Sequence, residues 1–592
     1  MTQFVPEPQI TVLDAGGQYC HLIARKVRDL GVYAEVRPSE TVAEELRSRQ
    51  GIIISGGPNS VYETDSPSVD PGLFSLGAAV LGICYGHQLT AYLLGGVVKK
   101  GDKGEFGLAF LDLEEAPDPL LEGLVQHQQV WMSHRDTVEG LPEGFVPLGR
   151  TDTCRVAVMA HPAKRLYGVQ FHPEVVHTRQ GKEILANFLF RVCGCRQDWN
   201  PKNRVPAIEE RIREVVGSRN VFFFVSGGVD STVAFTLCLR ALGPQRVRGI
   251  YVDTGLMREG ETDFVRGIFR DCGGSFMVED ASSQFLAALD GVTDPEQKRR
   301  IIGEEFVRVQ ERAIESRHFL DDNWILGQGT IYPDTIESGG TAKAAVIKTH
   351  HNRVPGIRRL IEANRIVEPL SLFYKDEVRE VGRELGLAEE FLERHPFPGP
   401  GLAIRCLCAA VSEPLRRVEE GWLVPVRSVG VQGDARSYAH VLCLDRFPSP
   451  EASLQQAATE LINRTTGINR IVARVASLAP LSEMHVAESS IDAERLARLR
   501  RADAIVRRLS QEHGFDRQVW QFPVILIPVG RPGAPDSVVL RPVDSVDGMT
   551  AQSVAMDEAL LRTMAAELLG VPGICGVFYD LTHKPPGTIE WE

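Results

Sequence analysis

Val221-Phe-Phe-Phe-Val-Ser-Gly-Gly-Val-Asp-Ser-Thr232 runs from an apolar, strand-like stretch through a glycine turn into a helix-like segment. Gly227 and Gly228 let the backbone come close to an anion, and a helix N-terminus presents unpaired N–H groups to it. The carboxylate of Asp230 can reach a divalent cation held by phosphates. The spacing G-x-x-x-x-G-K-[ST] is absent, so this is not a Walker-type loop. A second strand candidate, Val247–Val252, follows the helical segment and completes a β-α-β unit, the building block of a doubly wound parallel sheet. Asp253, which ends that strand, is either a ribose or metal contact or a turn-stabilising residue. Lys375, in Lys375-Asp-Glu-Val378, either reaches the phosphates or starts a solvated helix.

Working outward, the polar, proline-bearing stretch Arg196–Pro206 reads as a linker, and Arg394-His-Pro-Phe-Pro-Gly-Pro-Gly401 closes the central region. Upstream, the short apolar runs Ile10–Asp14, Gly51–Gly57, Ala78–Ile83 and Leu166–Phe171 alternate with helical stretches, as in an α/β sheet buried on both faces. Downstream there is an internal repeat. Pro425-Val-Arg-Ser-Val-Gly-Val leads to Gly467-Ile-Asn-Arg-Ile-Val472, and Pro523-Val-Ile-Leu-Ile-Pro-Val leads to Gly573-Ile-Cys-Gly-Val-Phe578. The copies lie about 100 residues apart, too far for a solenoid, which points to a duplicated α+β unit. The expected domains are 1–195, 205–405, 406–515 and 516–592.

The 592 residues suit about four domains. Lys and Arg total 65 against 78 Asp and Glu, and a net charge of −13 excludes bulk electrostatic binding to nucleic acid or an anionic membrane. No apolar run approaches the ~20 residues that span a bilayer. Met1–Gly17 carries no basic residue ahead of an apolar run, so no secretory leader is expected. Eleven scattered cysteines without C-x2-C spacing point to a reducing, cytoplasmic setting.

Gly82-Ile-Cys84-Tyr-Gly86 ends an apolar run and precedes a helical segment, the shape of a nucleophile elbow. A cysteine there sits at a helix N-terminus, which favours the thiolate. Gly168-Val-Gln-Phe-His172-Pro-Glu174 delivers a histidine from another strand end, with a carboxylate to hold its tautomer. Ser55-Gly-Gly57-Pro58 offers N–H groups for an oxyanion hole. Together with Asp14-Ala-Gly-Gly-Gln18, these four motifs, taken in their order along the chain, resemble a class I glutamine amidotransferase. The resemblance implies glutamine hydrolysis through a thioester on Cys84, with His172 and Glu174 completing the triad. It further implies oxyanion-hole N–H groups from Gly57 and Tyr85, and a substrate contact from Gln88.

Ser226-Gly-Gly-Val-Asp-Ser-Thr232 is similar to the PP-loop of ATP pyrophosphatases, which cleave ATP between its α and β phosphates. That resemblance makes Ser226, Gly227, Gly228, Val229, Asp230, Ser231 and Thr232 the ATP cradle, with Mg²⁺ on Asp230. The whole chain resembles the glutamine-hydrolysing GMP synthase family. The segments that carry this are Pro295–Gly303, Gly329–Ser338, Lys348-Thr-His-His-Asn352, His395–Gly401 and Lys584-Pro-Pro-Gly-Thr-Ile-Glu-Trp-Glu592. The resemblance implies xanthosine monophosphate (XMP) as acceptor: its purine O2 is adenylated and then displaced by ammonia, giving GMP, AMP, pyrophosphate and glutamate. It assigns XMP contacts to Arg299, Asp434, Gln521, Lys584 and Glu590, with Arg436 a weaker candidate. The expected fold is therefore α/β: an amidotransferase domain, a PP-loop domain and two C-terminal α+β subdomains forming one composite XMP site.

Short members of the family dimerise through a single C-terminal unit. An extra unit here could replace the partner, so a monomer is expected, with a homodimer as the alternative. Pro295–Gly303 reads as a lid that XMP and ATP would order. His87 and Arg135 depart from the family's common Met and Gly. A tRNA-thiolating PP-loop enzyme would want paired cysteines and a basic face, a CTP-forming enzyme a Walker loop, and a non-catalytic regulator would have lost Cys84, His172 or the loop. None of these patterns is present.

Overall fold

The computed structural model describes all residues except 1–6, 18, 115–116, 272–274, 338–353, 433–434, 449–457, 459, 463, 466, 546–550 and 585. Asp434 and Lys348–Asn352 thus lie outside the described residues, and so do the side chain of Arg436 and the end of Gly329–Ser338. The chain divides into two compact units: residues 1–211 with 330–351 and 370–384, and residues 212–329 with 352–369 and 385–592.

In the first unit the apolar runs become parallel strands. They are β1 (Ile10–Asp14), β2 (Ala34–Pro38), β3 (Gly51–Ile54) and β4 (Ala79–Ile83). β5 (Val97–Leu113), β6 (His127–Gly140), β7 (Val146–Arg150), β8 (Val158–His161) and β9 (Leu166–Val169) complete a sheet ordered β2-β1-β3-β4-β9-β8-β7-β5-β6. The pairs from β2 to β9 are parallel and the rest antiparallel. Both faces are buried, and residue parity sorts them. Val12, Ile53 and Leu81 enter one core, while Leu13, Ile52 and Val80 enter the other. Helix α1 (Cys20–Asp29) packs on the first face and α2 (Tyr85–Leu93) follows β4.

Two segments from the central stretch of sequence belong to this unit rather than to the PP-loop's. The reason is Arg28, which is buried on α1. Its guanidinium bonds the carbonyl oxygens of Ala34 and Leu372 and the carboxylate of Glu377, and faces the rings of Tyr33, Trp199, Tyr332 and Tyr374. A buried cation needs such enclosure, and cation–π contacts of about 0.5–2 kcal/mol each help supply it.

The second unit holds a wholly parallel sheet: β10 (Asn220–Phe224), β11 (Val247–Asp253), β12 (Ser275–Asp280), β13 (Trp324–Gly327) and β14 (Ile366–Val367), ordered β12-β11-β10-β13-β14. The order reverses at β10, so the loop leaving it sits at the switch point where such sheets bind ligands. Helix α3 (Val229–Leu242) follows that loop. Pro295–Gly303 is not a loop lid but the first turns of the 22-residue helix α4 (Pro295–Ser316), where Pro295 and the capping carboxylate of Asp294 start the helix cleanly.

The repeated segments share one seven-stranded sheet. β15 (Trp422–Gln432), β16 (Ala435–Leu444) and β17 (Ile468–Ser477) form one half, and β18 (Val524–Ile527), β19 (Asp536–Leu540) and β20 (Ile574–Asp580) the other. The order is Arg416–Arg417, β15-β16-β17-β20-β19-β18. Each half makes an antiparallel pair and then adds a strand parallel to the second. The halves meet through the antiparallel pair β17/β20, which gives the sheet a pseudo-two-fold path. Helices α5 (Ala493–Glu512) and α6 (Glu558–Leu569) cover one face, and Leu496, Leu499, Leu561 and Met564 share a core with Val538 and Val577.

Candidate functional sites

Every residue of the predicted triad lies at a carboxyl end of neighbouring strands. Cys84 follows β4, His172 follows β9, which pairs with β4, and Gly56-Gly57 follows β3 on the other side. Cys84 has φ +53 and ψ −105, a strained backbone that lifts its side chain from the sheet. The glycines on either side make this turn possible. A Cβ on Gly82 would lie 2.3 Å from the carbonyl oxygen of Gly86, and one on Gly86 would lie 2.3 Å from that of Ile54.

His172 Nδ1 lies 2.7 Å from Glu174 Oε1, which leaves Nε2 as the ring nitrogen for the thiol. Gly56 packs against both, its would-be Cβ 3.1 Å from His172 Cε1 and 3.6 Å from Cys84 Cβ. Among the described residues the N–H groups of Gly57 and Tyr85 donate to no backbone carbonyl, as an oxyanion hole requires. The Gln88 amide is held inward by the carbonyl of Asp136 at 2.7 Å and by Gln170 Oε1 at 3.1 Å, so in this arrangement it braces the site's wall.

Burial of His172 disfavours the imidazolium, but the charges of Glu174 and Cys84 outweigh it and raise the pKa well above the usual histidine value. A raised folded-state pKa stabilises the fold below about pH 6.5, and the contribution is lost as pH climbs through the raised value. Urea unfolding of wild type and His172→Gln from about pH 6 to about pH 10 should therefore show a gap that is widest at the acid end and narrows as pH rises. A gap independent of pH would contradict the charged pair.

A second grouping in this unit, Glu105, His134 and Cys154, brings its ligand-type atoms within 4.8 Å of one another. It is a hydrogen-bonded brace. The Glu105 carboxylate accepts from Thr151 and Thr153 and faces His134 Nε2 at 3.0 Å, and burial pushes the Cys154 thiol up to about 11.

In the second unit, Ser226–Thr232 wraps the N-terminus of α3. Gly227 takes φ +75, and the Gly228 N–H reaches Ser226 Oγ at 3.2 Å. Ser231 Oγ and Thr232 Oγ1 donate to the Gly228 carbonyl at 3.1 and 2.9 Å. Helix geometry leaves the first N–H groups of α3 directed outward from the turn. Gly329, just after β13, closes the loop's other side: a Cβ there would lie 2.8 Å from Ser231 N and 2.9 Å from Asp230 C. Asp253 accepts from Gly255 N in its own turn at 2.9 Å and from Thr262 Oγ1 on the following helix at 2.7 Å. Lys375 lies in the first unit, opening the helix Lys375–Glu384 whose Asp376 and Glu377 pair with Arg25 and Arg28.

Of the predicted acceptor residues, Lys584 and Glu590 belong to the C-terminal tail and Arg299 packs against its end. Arg299 hydrogen-bonds the Glu592 carbonyl and lines a cavity of about 640 Å³ with Asp294, Glu296, Gln297 and Arg300. The hydroxyl of Tyr438, beyond the Asp434 loop, reaches Glu296 at 2.8 Å. Glu590 is gripped at both oxygens by Arg405, at 2.9 and 2.7 Å. Gln521 pairs through its backbone with Val543, and Lys584 with Ala551, on either side of a two-stranded ribbon, Val543–Asp544 with Gln552–Ser553. The side-chain oxygen of Gln521 is buried without a partner among the described residues. Sequence reading passed over the buried cations that hold this tail: Lys298, Arg405, Arg470 and Arg541. The signal was a lone charge within an apolar strand, as in Ile468-Asn-Arg470-Ile-Val and Val538-Val-Leu-Arg541.

Residues 11–192 match the family described as glutamine amidotransferase class-I, 202–269 that described as NAD synthase, and 509–591 that described as GMP synthase C terminal domain. A GMP synthase [glutamine-hydrolyzing] of Caldicellulosiruptor saccharolyticus is 40% identical over 98% of this chain and 99% of its own length. That of Symbiobacterium thermophilum is 46% identical over 80% of this chain and 98% of its own. That of Thermobifida fusca is 40% identical over 98% of each.

Proposed function

The chain belongs to the glutamine-hydrolysing GMP synthase family, and from that premise we propose how its residues divide the work. The enzyme is a ligase that uses glutamine and ATP to make GMP. Cys84 attacks the glutamine amide carbon while His172, oriented by Glu174, takes the thiol proton and passes it to the leaving ammonia. Gly57 and Tyr85 N–H groups hold the tetrahedral oxyanion, and water then releases glutamate. The Ser226–Thr232 loop grips the ATP phosphates as XMP O2 attacks the α-phosphorus. Pyrophosphate leaves, and ammonia displaces AMP from the adenylate to give GMP. The oxygen donor of Asp230 fits Mg²⁺, a hard cation that would neutralise the polyphosphate as it departs. Asp253, which also fixes the turn after its strand, keeps acceptor capacity for the ATP ribose or metal.

XMP contacts fall to Arg299, Gln521, Lys584 and Glu590, with Asp434 assigned by the family resemblance. The carrying observation is the sheet order, which sets the elbow cysteine between the Gly56-Gly57 turn and the His172–Glu174 pair. The test is formation of GMP from XMP, ATP and Mg²⁺ with either glutamine or ammonium. ATP cleavage without GMP would show the acceptor to be another nucleotide. The enzyme acts in the cytoplasm; among the described residues no helix is long and apolar enough to cross a membrane. The palindromic order β15-β16-β17-β20-β19-β18 supports a monomer, since both halves of the two-fold come from one chain. Sedimentation should give one 65.3 kDa chain, and a species of twice that mass would reverse this reading.

A further inference from the structure

The C-terminal tail has almost no regular structure, yet it is buried among cations. Arg470 on β17 and Arg541, just past β19, are both fully buried and share one carboxylate oxygen, Asp580 Oδ2, at 3.0 and 2.7 Å. Trp591 Nε1 donates to the same oxygen at 2.9 Å. Two guanidinium groups against one carboxylate leave a positive excess, and the tail's backbone answers it. Arg470 donates to the carbonyl oxygens of Thr588 at 2.8 Å, Glu590 at 2.7 Å and Val429 at 3.2 Å. Arg541 donates to those of Thr582 at 3.0 Å, Thr588 at 2.7 Å and Ile589 at 2.9 Å. Val429 N in turn donates to the Trp591 carbonyl at 2.8 Å, and Gly430 bridges to Gly587. The tail is thereby fastened to the start of the loop Gly430–Tyr438.

Arg470 and Val429 come from the first repeat, and Arg541 and Asp580 from the second. The clamp thus crosses the pseudo-two-fold. A planar guanidinium offers donors in a fixed fork and sets carbonyl positions in a way a lysine ammonium cannot. We propose that Arg470 and Arg541, bound to the shared carboxylate of Asp580, are positioning residues for the acceptor nucleotide: they set the path of Thr582–Glu592 and so the placement of Lys584 and Glu590. This rests on the reading of the tail as the XMP site and assigns that site's precision to a joint between the repeats.

The experiment measures KM for XMP, KM for ATP and thermal midpoint in full-length Arg541→Lys, Arg470→Lys and Lys584→Ala, with ammonium as donor. The lysine variants should raise KM for XMP about tenfold with little change in KM for ATP. Because both arginines hold the Thr588 carbonyl, the double variant should fall short of the sum of the singles. Thr588→Val, which removes the hydroxyl that accepts from Arg470 at 2.9 Å and donates to the carbonyls of Val429 and Glu590, serves if the lysine variants fail to fold. It should raise KM for XMP about threefold. An unchanged KM for XMP in the arginine variants or in Thr588→Val, or parallel rises in both KM values with a fallen midpoint, would overturn the clamp. If Lys584→Ala itself leaves KM for XMP unchanged, the tail is not the acceptor site and the underlying reading fails instead.

Discussion

In a Cys84→Ala variant, glutamine-dependent GMP formation falls by about 10³-fold or more, while formation from ammonium stays within about twofold of wild type. In the proposed mechanism the thiol forms the acyl bond, and among the described residues no other side chain stands in its place on the elbow. Gln170 Nε2 and the Ser133 carbonyl lie 3.8 and 3.5 Å from Sγ, and neither is a nucleophile for an amide. The Glu105–His134–Cys154 grouping cannot substitute, because both His134 ring nitrogens are engaged, Nε2 with Glu105 at 3.0 Å and Nδ1 with the Asp136 carbonyl at 2.9 Å, which leaves none for the Cys154 thiol. Alanine keeps the Cβ that packs near Gly56, so the turn need not change. Ammonium use depends on the other unit's loop and tail, which the substitution does not touch. Retained glutamine use would remove Cys84 from the chemistry, and loss of both donors would mean that the elbow supports more than glutamine hydrolysis.

The elbow was readable because its physical demands are local. A sharp strand-to-helix turn needs small neighbours, and Gly82 and Gly86 are two residues on each side of the nucleophile. The phosphate loop was readable for the same reason, as a strand, a glycine turn and a helix in twelve consecutive residues. What resisted reading was whatever depends on distant chain. His87, in place of the family's common Met, is fully buried, and burial holds it neutral with a pKa pushed down to about 3. Its room comes from Gly168, where a Cβ would lie 2.4 Å from His87 Nδ1, about eighty residues on.

Likewise Tyr332, Tyr374 and Glu377 join the first unit because they enclose Arg28, which no stretch of neighbouring residues announces. Pro295–Gly303 is charged and proline-led, and resembled a lid. Its buried Lys298 bonds the Glu592 carboxylate and, at 3.1 Å, the Cys406 carbonyl, which anchors it as helix. The repeat was visible as similar segments. That they would share one sheet depended on β17 pairing with β20, a long-range register no local pattern encodes.

The second large effect belongs to Gly329. Gly329→Ala lowers GMP formation about 100-fold with either donor, since a misplacement of about 1 Å in a positioning element costs that much. The added Cβ would meet the Ser231 nitrogen and the Asp230 carbonyl carbon at 2.8 and 2.9 Å, both backbone atoms of the phosphate loop. No flexible side chain can yield, so the loop or β13's end must shift. Either movement turns the α3 N–H groups away from the phosphates they are to hold, and adenylation is where the rate is lost. Gly227 shows how tightly this loop is set: its positive φ and a would-be Cβ 2.6 Å from Val265 Cγ2 leave the backbone no second conformation for a side chain. The readout is AMP and pyrophosphate release under saturating XMP, alongside alkylation of Cys84 by a glutamine-like electrophile. Nucleotide cleavage should fall with GMP formation while Cys84 alkylation and the thermal unfolding midpoint of the second unit persist, which sets this defect apart from misfolding. Wild-type cleavage in Gly329→Ala would show that the loop tolerates the displacement and that its phosphate contacts lie elsewhere along Ser226–Thr232.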